Sequence, residues 1–292
     1  MIAGPFATLT FERSVAAPVG TLYHAWIAPA ARAVWAPPAP GVTVEFLESD
    51  ARLGGREVSI CRFPGTPDVR VEAGWLQLVP DRVTVNYEVV SSQGAIDSVA
   101  LVTARFSGDA KASKVVLTVQ LSSQAQDMVA GYTQGFDAGI ANLTGVAERT
   151  MILSRVIKAP VSVVWGAWMN PETLPKWWGP DGFSCKTSRI DLRQGGEWVF
   201  DMIAPDGTVF PNHHRYGQVI PEVRLDYALL WGENGPKHAD AWASFTEEGG
   251  ATRVTLGMVM ATAKEYNEAK GFGAEALGLQ TLGKLARSIG AD

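Results

Sequence analysis

The chain has 292 residues, 47% hydrophobic and 19% charged, a length that sets a soft prior of two domains or one large one. Acidic side chains outnumber basic ones 30 to 25, and both halves share the excess, 13 to 10 before Val146 and 17 to 15 after it. Neither half offers the basic surface that nucleic acid or an anionic membrane requires, so both are excluded as expected partners.

The opening stretch "MIAGPFATLTFERSV" has neither the basic region nor the long apolar run of a signal peptide, and no membrane-length apolar segment follows. The expectation is a soluble, cytoplasmic protein. Thr8 to Val15 is a β-branched run that reads as a strand. Ala17-Pro18 then opens a helix with proline at its first position, where a missing N–H costs nothing, and that helix ends before Pro29. A second short helix reaches Trp35. Six alternating segments follow, at 42–50, 55–63, 69–79, 82–90, 99–106 and 114–121, joined by short turns. They predict an antiparallel meander. Ser123-Gln-Ala-Gln126 is a capping box for a long helix that runs to about Val146.

The same order then repeats. "RSVAAPVGTLYHAWIAP" (Arg13 to Pro29) lies without a gap over "RVIKAPVSVVWGAWMNP" (Arg155 to Pro171), sharing Pro18/Pro160, Ala25/Ala167, Trp26/Trp168 and Pro29/Pro171. Trp35 falls on Trp177, "DARLGG" (Asp50 to Gly55) on "DLRQGG" (Asp191 to Gly196), and "QGFDA" (Gln134 to Ala138) on "KGFGA" (Lys270 to Ala274). Thr262-Ala-Lys-Glu265 is a second capping box, followed by an apolar stripe of Phe272, Ala276, Leu279, Gly283, Ala286 and Ile289. The glycines that interrupt both closing helices read either as close helix-on-sheet approach or as room for a ligand.

The predicted fold class is therefore α+β: two tandem domains, 1–147 and 148–292, each a curved antiparallel sheet wrapped around a long C-terminal helix. One helix cannot fill so twisted a sheet, and the leftover volume predicts a cavity. The short link near Glu148 predicts that the two domains pack on each other about a pseudo-twofold axis, and it leaves a homo-oligomer open.

The segment "VSVVWGAWMNPETLPKWWGPDGFSCKTSRIDLRQGGEWVFDMIAPDGTVFPN" resembles the bacterial proteins related to the C-terminal domain of the activator of heat-shock protein 90 ATPase, AHSA-type members of the SRPBCC superfamily. The superfamily includes START lipid-binding domains and polyketide cyclases. The resemblance covers nearly all of Met151 to Ile289 and implies the helix-grip fold with a hydrophobic pocket. In the first copy Ala36 stands where Trp178 would, and "APPAPG" replaces "GPDGF".

In the strand after Gly196, alternation sets Trp198, Phe200 and Met202 on one face. With Trp178, Phe183, Tyr216, Tyr227, Trp231, Trp242 and Phe272 they form the predicted ligand-binding set, seven of the ten tryptophans lying in the second copy. The plain alternative is that these rings only fill a wide core. In the first copy Glu57, Ser59 and Cys61 occupy the positions of Trp198, Phe200 and Met202. Either the strand flips through a bulge to turn Val58 and Ile60 inward, or the first cavity holds a carboxylate and a hydroxyl; the cost of burying an unpaired carboxylate favours the flip. His213 and His214 are strand neighbours and point to opposite faces, so they cannot share a metal. Cys61 and Cys185 have no metal-ligand spacing and read as small buried hydrophobes. No metal and no cofactor is expected.

The leading expectation is a binding protein for a small apolar molecule, serving carriage or sensing. A cofactor-independent cyclase, hydratase or hydrolase is the alternative, with His213, His214, Tyr216 or Glu57 as acid or base. A chaperone-associated module is a third reading, in which Trp178 would be an exposed indole.

Overall fold

The computed structural model describes residues 6–123 and 127–291. The chain divides into two compact units, Met1–Glu148 and Arg149–Asp292. In the first, β1 (Phe6–Val15) leads through α1 (Val19–Ile27) and α2 (Pro29–Trp35) into β2 (Thr43–Ser49), β3 (Arg56–Arg62), β4 (Val69–Val79), β5 (Val83–Ser92), β6 (Ala95–Gly108) and β7 (Ser113–Ser123), and α3 (Asp127–Ala147) closes it. The second repeats the order with β8 (Thr150–Ile157), α4 (Val161–Trp168), α5 (Leu174–Trp177), β9 (Ser184–Ile190), β10 (Glu197–Ile203), β11 (Val209–Ile220), β12 (Arg224–Trp231), β13 (Lys237–Glu248) and β14 (Ala251–Met260). It ends in α6 (Ala263–Gly271) and α7 (Ala274–Ser288).

Each unit holds one seven-stranded antiparallel sheet. The six meander strands run in sequence, and the first strand of each unit lies beside its last, giving β1-β7-β6-β5-β4-β3-β2 and β8-β14-β13-β12-β11-β10-β9. The fold is the predicted tandem α+β pair. Pro18 and Pro160 sit at the N-caps of α1 and α4, one place before the predicted first helical position.

Equivalent side chains do equal work in the two copies. Trp35 Nε1 donates to the carbonyl of Ala25 at 2.8 Å, and Trp177 Nε1 to that of Ala167 at 3.2 Å. Ser113 Oγ donates to Ala17 O and Thr252 Oγ1 to Ala159 O, each at 2.7 Å, locking the strand that follows into the first helix turn. The paired glycines of the β2–β3 and β9–β10 turns exchange backbone hydrogen bonds with Trp75 and with Tyr216 respectively, which makes those two residues counterparts.

The closing helices differ from expectation. The second copy has two helices, broken at Gly273, whose φ of 85° is left-handed backbone that glycine adopts without a Cβ penalty. Phe272, 68% exposed, and Leu279 lie outside the core, while Thr281, Leu282, Leu285 and Ala286 form the buried face of α7. The predicted stripe is thus turned partly to solvent. Gly278 fulfils the close-approach reading, since a Cβ there would come within 2.1 Å of Leu153 Cδ1 on β8. The capping box at Thr262 and Glu265 forms with both reciprocal bonds. The first-copy box ends at Gln126, outside the described residues. No helix among the described residues is long and apolar enough to cross a membrane.

Candidate functional site

The turn "WWGPDGF" is held by α7. Lys284 Nζ donates to the carbonyls of Phe183 at 3.1 Å, Pro180 at 3.3 Å and Trp178 at 3.4 Å, Gln280 Oε1 accepts from Asp181 N, and Arg287 pairs with Asp181. Asn142 on α3 does the matching job in the first copy, donating to Trp35 O at 3.2 Å and Pro37 O at 3.0 Å. Asn142 and Lys284 stand at the same 142-residue offset as Trp35 and Trp177, so the match of Gln134–Ala138 to Lys270–Ala274 does not mark equivalent places. Replacing Lys284 with methionine removes a charged donor from three carbonyls; the expected loss is about 1–3 kcal/mol in urea denaturation, with faster amide exchange from Trp178 to Phe183. A fully neutral substitution would show the contacts to be ornamental.

Above that turn the inward side chains of the second sheet form an aromatic box. Trp198 and Phe200 are fully buried and stacked at 3.7 Å between centroids. His214, 3% exposed, is enclosed by Trp178 at 5.4 Å, Trp198 at 5.4 Å, Phe200 at 5.1 Å and Tyr227 at 5.1 Å. Tyr216 and Tyr227 are buried with ring centroids 6.0 Å apart. Met202 packs partly buried against the same cluster. None of His214, Tyr216 and Tyr227 makes a side-chain hydrogen bond to another described residue. Burial lowers the His214 pKa to about 3, with His238 and His213 adding to it, so the ring is neutral near pH 7. Burial pushes both tyrosine hydroxyls well above their usual range, with each gaining from a neighbour, Tyr227 for one and Asp226 for the other.

Five of the predicted ligand-binding residues therefore meet here: Trp178, Trp198, Phe200, Tyr216 and Tyr227. Three do not. Trp231 is 52% exposed and stacks on His238 at 4.1 Å, because the register shift at Leu229/Leu230 carries the strand end out of the core. Trp242 is buried, but on the other face of β13 from Ala241 and Ala243, with its indole over Gly257. Phe272 is exposed beyond the break at Gly273. Phe183 sits at the rim, its ring 6.3 Å from that of Phe210. Trp178 is half-buried inside the cluster and is not the exposed indole of the chaperone reading.

His213 faces the opposite way from His214, as alternation requires. Its Nε2 donates to Glu197 Oε2 at 2.7 Å, Glu197 pairs with Arg189 at 2.6 Å, and Arg189 with Glu233 at 2.8 Å. Hydrogen bonds from Arg189 first, then His213, hold the Glu197 carboxyl below the usual range. This chain ties strands together on the outer face. Both cysteines are free and half-buried, and burial raises both thiols, Cys185 to about 12, so neither is a reactive thiolate at neutral pH.

The first copy overturns the favoured flip. Glu57 points inward and is 2% exposed. The carboxylate is not unpaired: Arg32 Nη1 donates to Oε2 at 2.5 Å and Ser49 Oγ to Oε1 at 2.6 Å. The bulge that does occur lies on the partner strand, between Phe46 and Glu48. The energetic objection applied to a lone charge, and Arg32, which supplies the partner, was not among the predicted residues. Its signal was present: at the 142 offset Arg32 falls on Leu174, a fully buried core leucine. A groove of about 510 Å³ runs across the first sheet from β1 to β5, between Phe6, Tyr87, Val99 and Leu101, and it includes none of the predicted site residues.

A curved seven-stranded sheet closed by C-terminal helices, with an aromatic interior, defines a helix-grip domain. Residues 158–289, most of the second unit, match the family described as Activator of Hsp90 ATPase homolog 1-like protein. Solved structures similar to the chain include a Nitrosomonas europaea protein, 28% identical over 49% of this chain and 95% of its own (TM-score 0.45). Others come from Rhizobium loti, 26% identical over 48% of this chain and 96% of its own (TM-score 0.43), and Rhizobium leguminosarum, 25% identical over 50% and 97% (TM-score 0.45). No curated protein matches the chain.

Proposed function

We propose that the second domain binds a small aromatic or largely apolar molecule between its sheet and α7, for carriage or sensing, with His214, Tyr216 and Tyr227 as the hydrogen-bonding end. The observation that supports this most is chemical. Three polar side chains meet within an aromatic box, and none makes a side-chain hydrogen bond to another described residue, which leaves their polar atoms available to a ligand. A ligand hydroxyl or carbonyl would satisfy them. The family's fold often houses hydrophobic ligands, which fits the carbon-rich remainder of the box.

Binding is favoured over catalysis by the same protonation states. An imidazole with a pKa of about 3 is a poor base at neutral pH, and the tyrosine hydroxyls hold their protons even more firmly than free phenol.

The test is a titration of the full chain with naphthol and with naphthalene, read by tryptophan fluorescence. Naphthol should quench the emission and bind about tenfold more tightly than naphthalene, the value of roughly one hydrogen bond. Tyr227→Phe should narrow that gap while leaving naphthalene binding in place. If neither compound binds, or if the hydroxyl earns no preference in wild type, the reading falls.

A further inference from the structure

The aromatic box of the second domain has been replaced, position by position, in the first. Strand pairing makes the correspondence explicit. Trp198 lies across from His214 and His214 from Leu229, while Glu57 lies across from Ala73 and Ala73 from Glu88. Tyr216 faces Tyr227, and its counterpart Trp75 faces Asn86. Trp178, Trp198, His214, Tyr227 and Leu229 thus become Ala36, Glu57, Ala73, Asn86 and Glu88. Two rings give way to alanine, and two carboxylates enter the face that the helices cover.

The charges inside that face do not balance. Among the described residues Arg32 from α2 is the cation that reaches this face, and it is paired with Glu57 from β3. Glu88 from β5 is half-buried and, among the described residues, accepts a side-chain hydrogen bond only from Asn86 Nδ2, at 3.2 Å. Tyr132 from α3 reaches the same region and spends its hydroxyl on Ser98 Oγ at 3.0 Å. Burial pushes the Glu88 carboxyl up, opposed by Arg32 and Asn86 and reinforced by Glu57. Burial thus holds Glu88 toward its protonated form, and when ionised it has no paired cation among the described residues, so a bound cation would draw it into the charged state.

Donors are left over beside it. Arg32 makes no other side-chain hydrogen bond to a described residue, and its guanidinium lies 4.7 Å from the Phe46 ring centroid and 5.8 Å from that of Trp75. Trp75 is 2% exposed and its Nε1–H has no acceptor. A buried indole N–H without a partner is uncommon and marks a place where an acceptor belongs.

We propose that the first domain carries a second, polar binding site for a small organic cation of the amino-alcohol type. Its ammonium would pair with Glu88, and its oxygen would accept from Trp75 and the spare N–H groups of Arg32. The two tandem domains would then hold ligands of opposite character on one scaffold, an apolar one in the second and a cationic one in the first.

Isothermal titration of the full chain with phenylethanolamine, phenylethylene glycol and mandelate tests this, since the three share a ring and a hydroxyl and differ in the charge of one end. Phenylethanolamine should bind, and the glycol and mandelate should be at least tenfold weaker. Glu88→Gln, which keeps the shape and removes the uncompensated charge, should weaken phenylethanolamine at least tenfold while leaving thermal stability equal or higher. His214→Phe in the other domain should leave its affinity unchanged. Equal binding of amine and glycol overturns the proposal, as does an unchanged affinity in Glu88→Gln. A loss caused by His214→Phe instead would place the amine in the second domain and overturn it equally.

Discussion

Replacing His214 with phenylalanine should leave the second domain within about 1 kcal/mol of wild type near pH 7.5 and make it more stable than wild type by about 3 kcal/mol near pH 4.5. The neutral-pH result follows from shape. The imidazole makes no hydrogen bond to another described residue and is enclosed by Trp178, Trp198, Phe200 and Tyr227, so a phenyl ring fits the same box. The acid result follows from linkage. The folded pKa of about 3 lies below the ordinary value of 6.5, so the unfolded chain binds the proton first. The contribution is fully present above pH 6.5 and is lost as pH falls toward 3, at about 1.4 kcal/mol per pH unit.

Wild type should not show the whole of this slope, because Asp226 opposes it. Burial raises its carboxyl to about 6 against the pull of Arg224, which lies 3.0 Å away. A raised carboxyl works in the other sense: its contribution is present in acid and lost as pH rises through about 6. Between neutrality and about pH 4.5 the histidine loses roughly 3 kcal/mol and the aspartate returns roughly 2. The wild-type profile should therefore be nearly flat and that of His214→Phe should climb in acid. Urea denaturation followed by tryptophan emission reports mainly on the second domain, where seven of the ten tryptophans lie. Parallel profiles for the two proteins would show that His214 titrates normally and is not enclosed.

The second large effect is in the first domain. Arg32→Leu installs the residue that the second copy carries at this place, yet it should cost about 3–5 kcal/mol, because it leaves Glu57 buried without its cation. Adding Glu57→Leu should recover most of that loss, since two apolar groups replace a pair whose desolvation cost offsets its attraction. Hydrogen exchange in β3 and β4 of the full chain reads both variants locally. A single-variant loss below about 0.5 kcal/mol, the level of an exposed pair, would mean that water reaches the site and screens it.

The architecture was legible because it rests on patterns that survive locally: period-two alternation in six meander segments of the first copy, paired glycines at the turns, and an internal repeat that carried the same order over to the second. Trp35 and Trp177 were readable for the same reason, since each donates to a carbonyl ten residues back. The site was legible only in part. Alternation placed Trp198, Phe200 and Met202 on one face and set His213 and His214 on opposite faces, but it could not foresee that the shift at Leu229/Leu230 carries Trp231 outside. Helical periodicity ran through Phe272 and Leu279 because a period does not register a left-handed glycine. Glu57 was misjudged because burial was assessed one residue at a time. A charge is buried or expelled as a pair, and its partner lay 25 residues earlier on a different element.

The pairing of β1 with β7 has a consequence for synthesis. β1 leaves the ribosome ahead of its partners, which run from Ser122 opposite Phe6 to Ser113 opposite Val15 and emerge about a hundred residues later. Each sheet thus finishes by a long-range event, and until then its first strand has no strand partner on either side. In a chain that encodes the same sheet twice, β1 could be captured by β14 as readily as by β7. The divergence of the two interiors works against such swaps: α2 laid on the second sheet would bring Arg32 against the place of Trp198, with no carboxylate to receive it. Charge in one copy and aromatic rings in the other make the two interiors poor substitutes for each other.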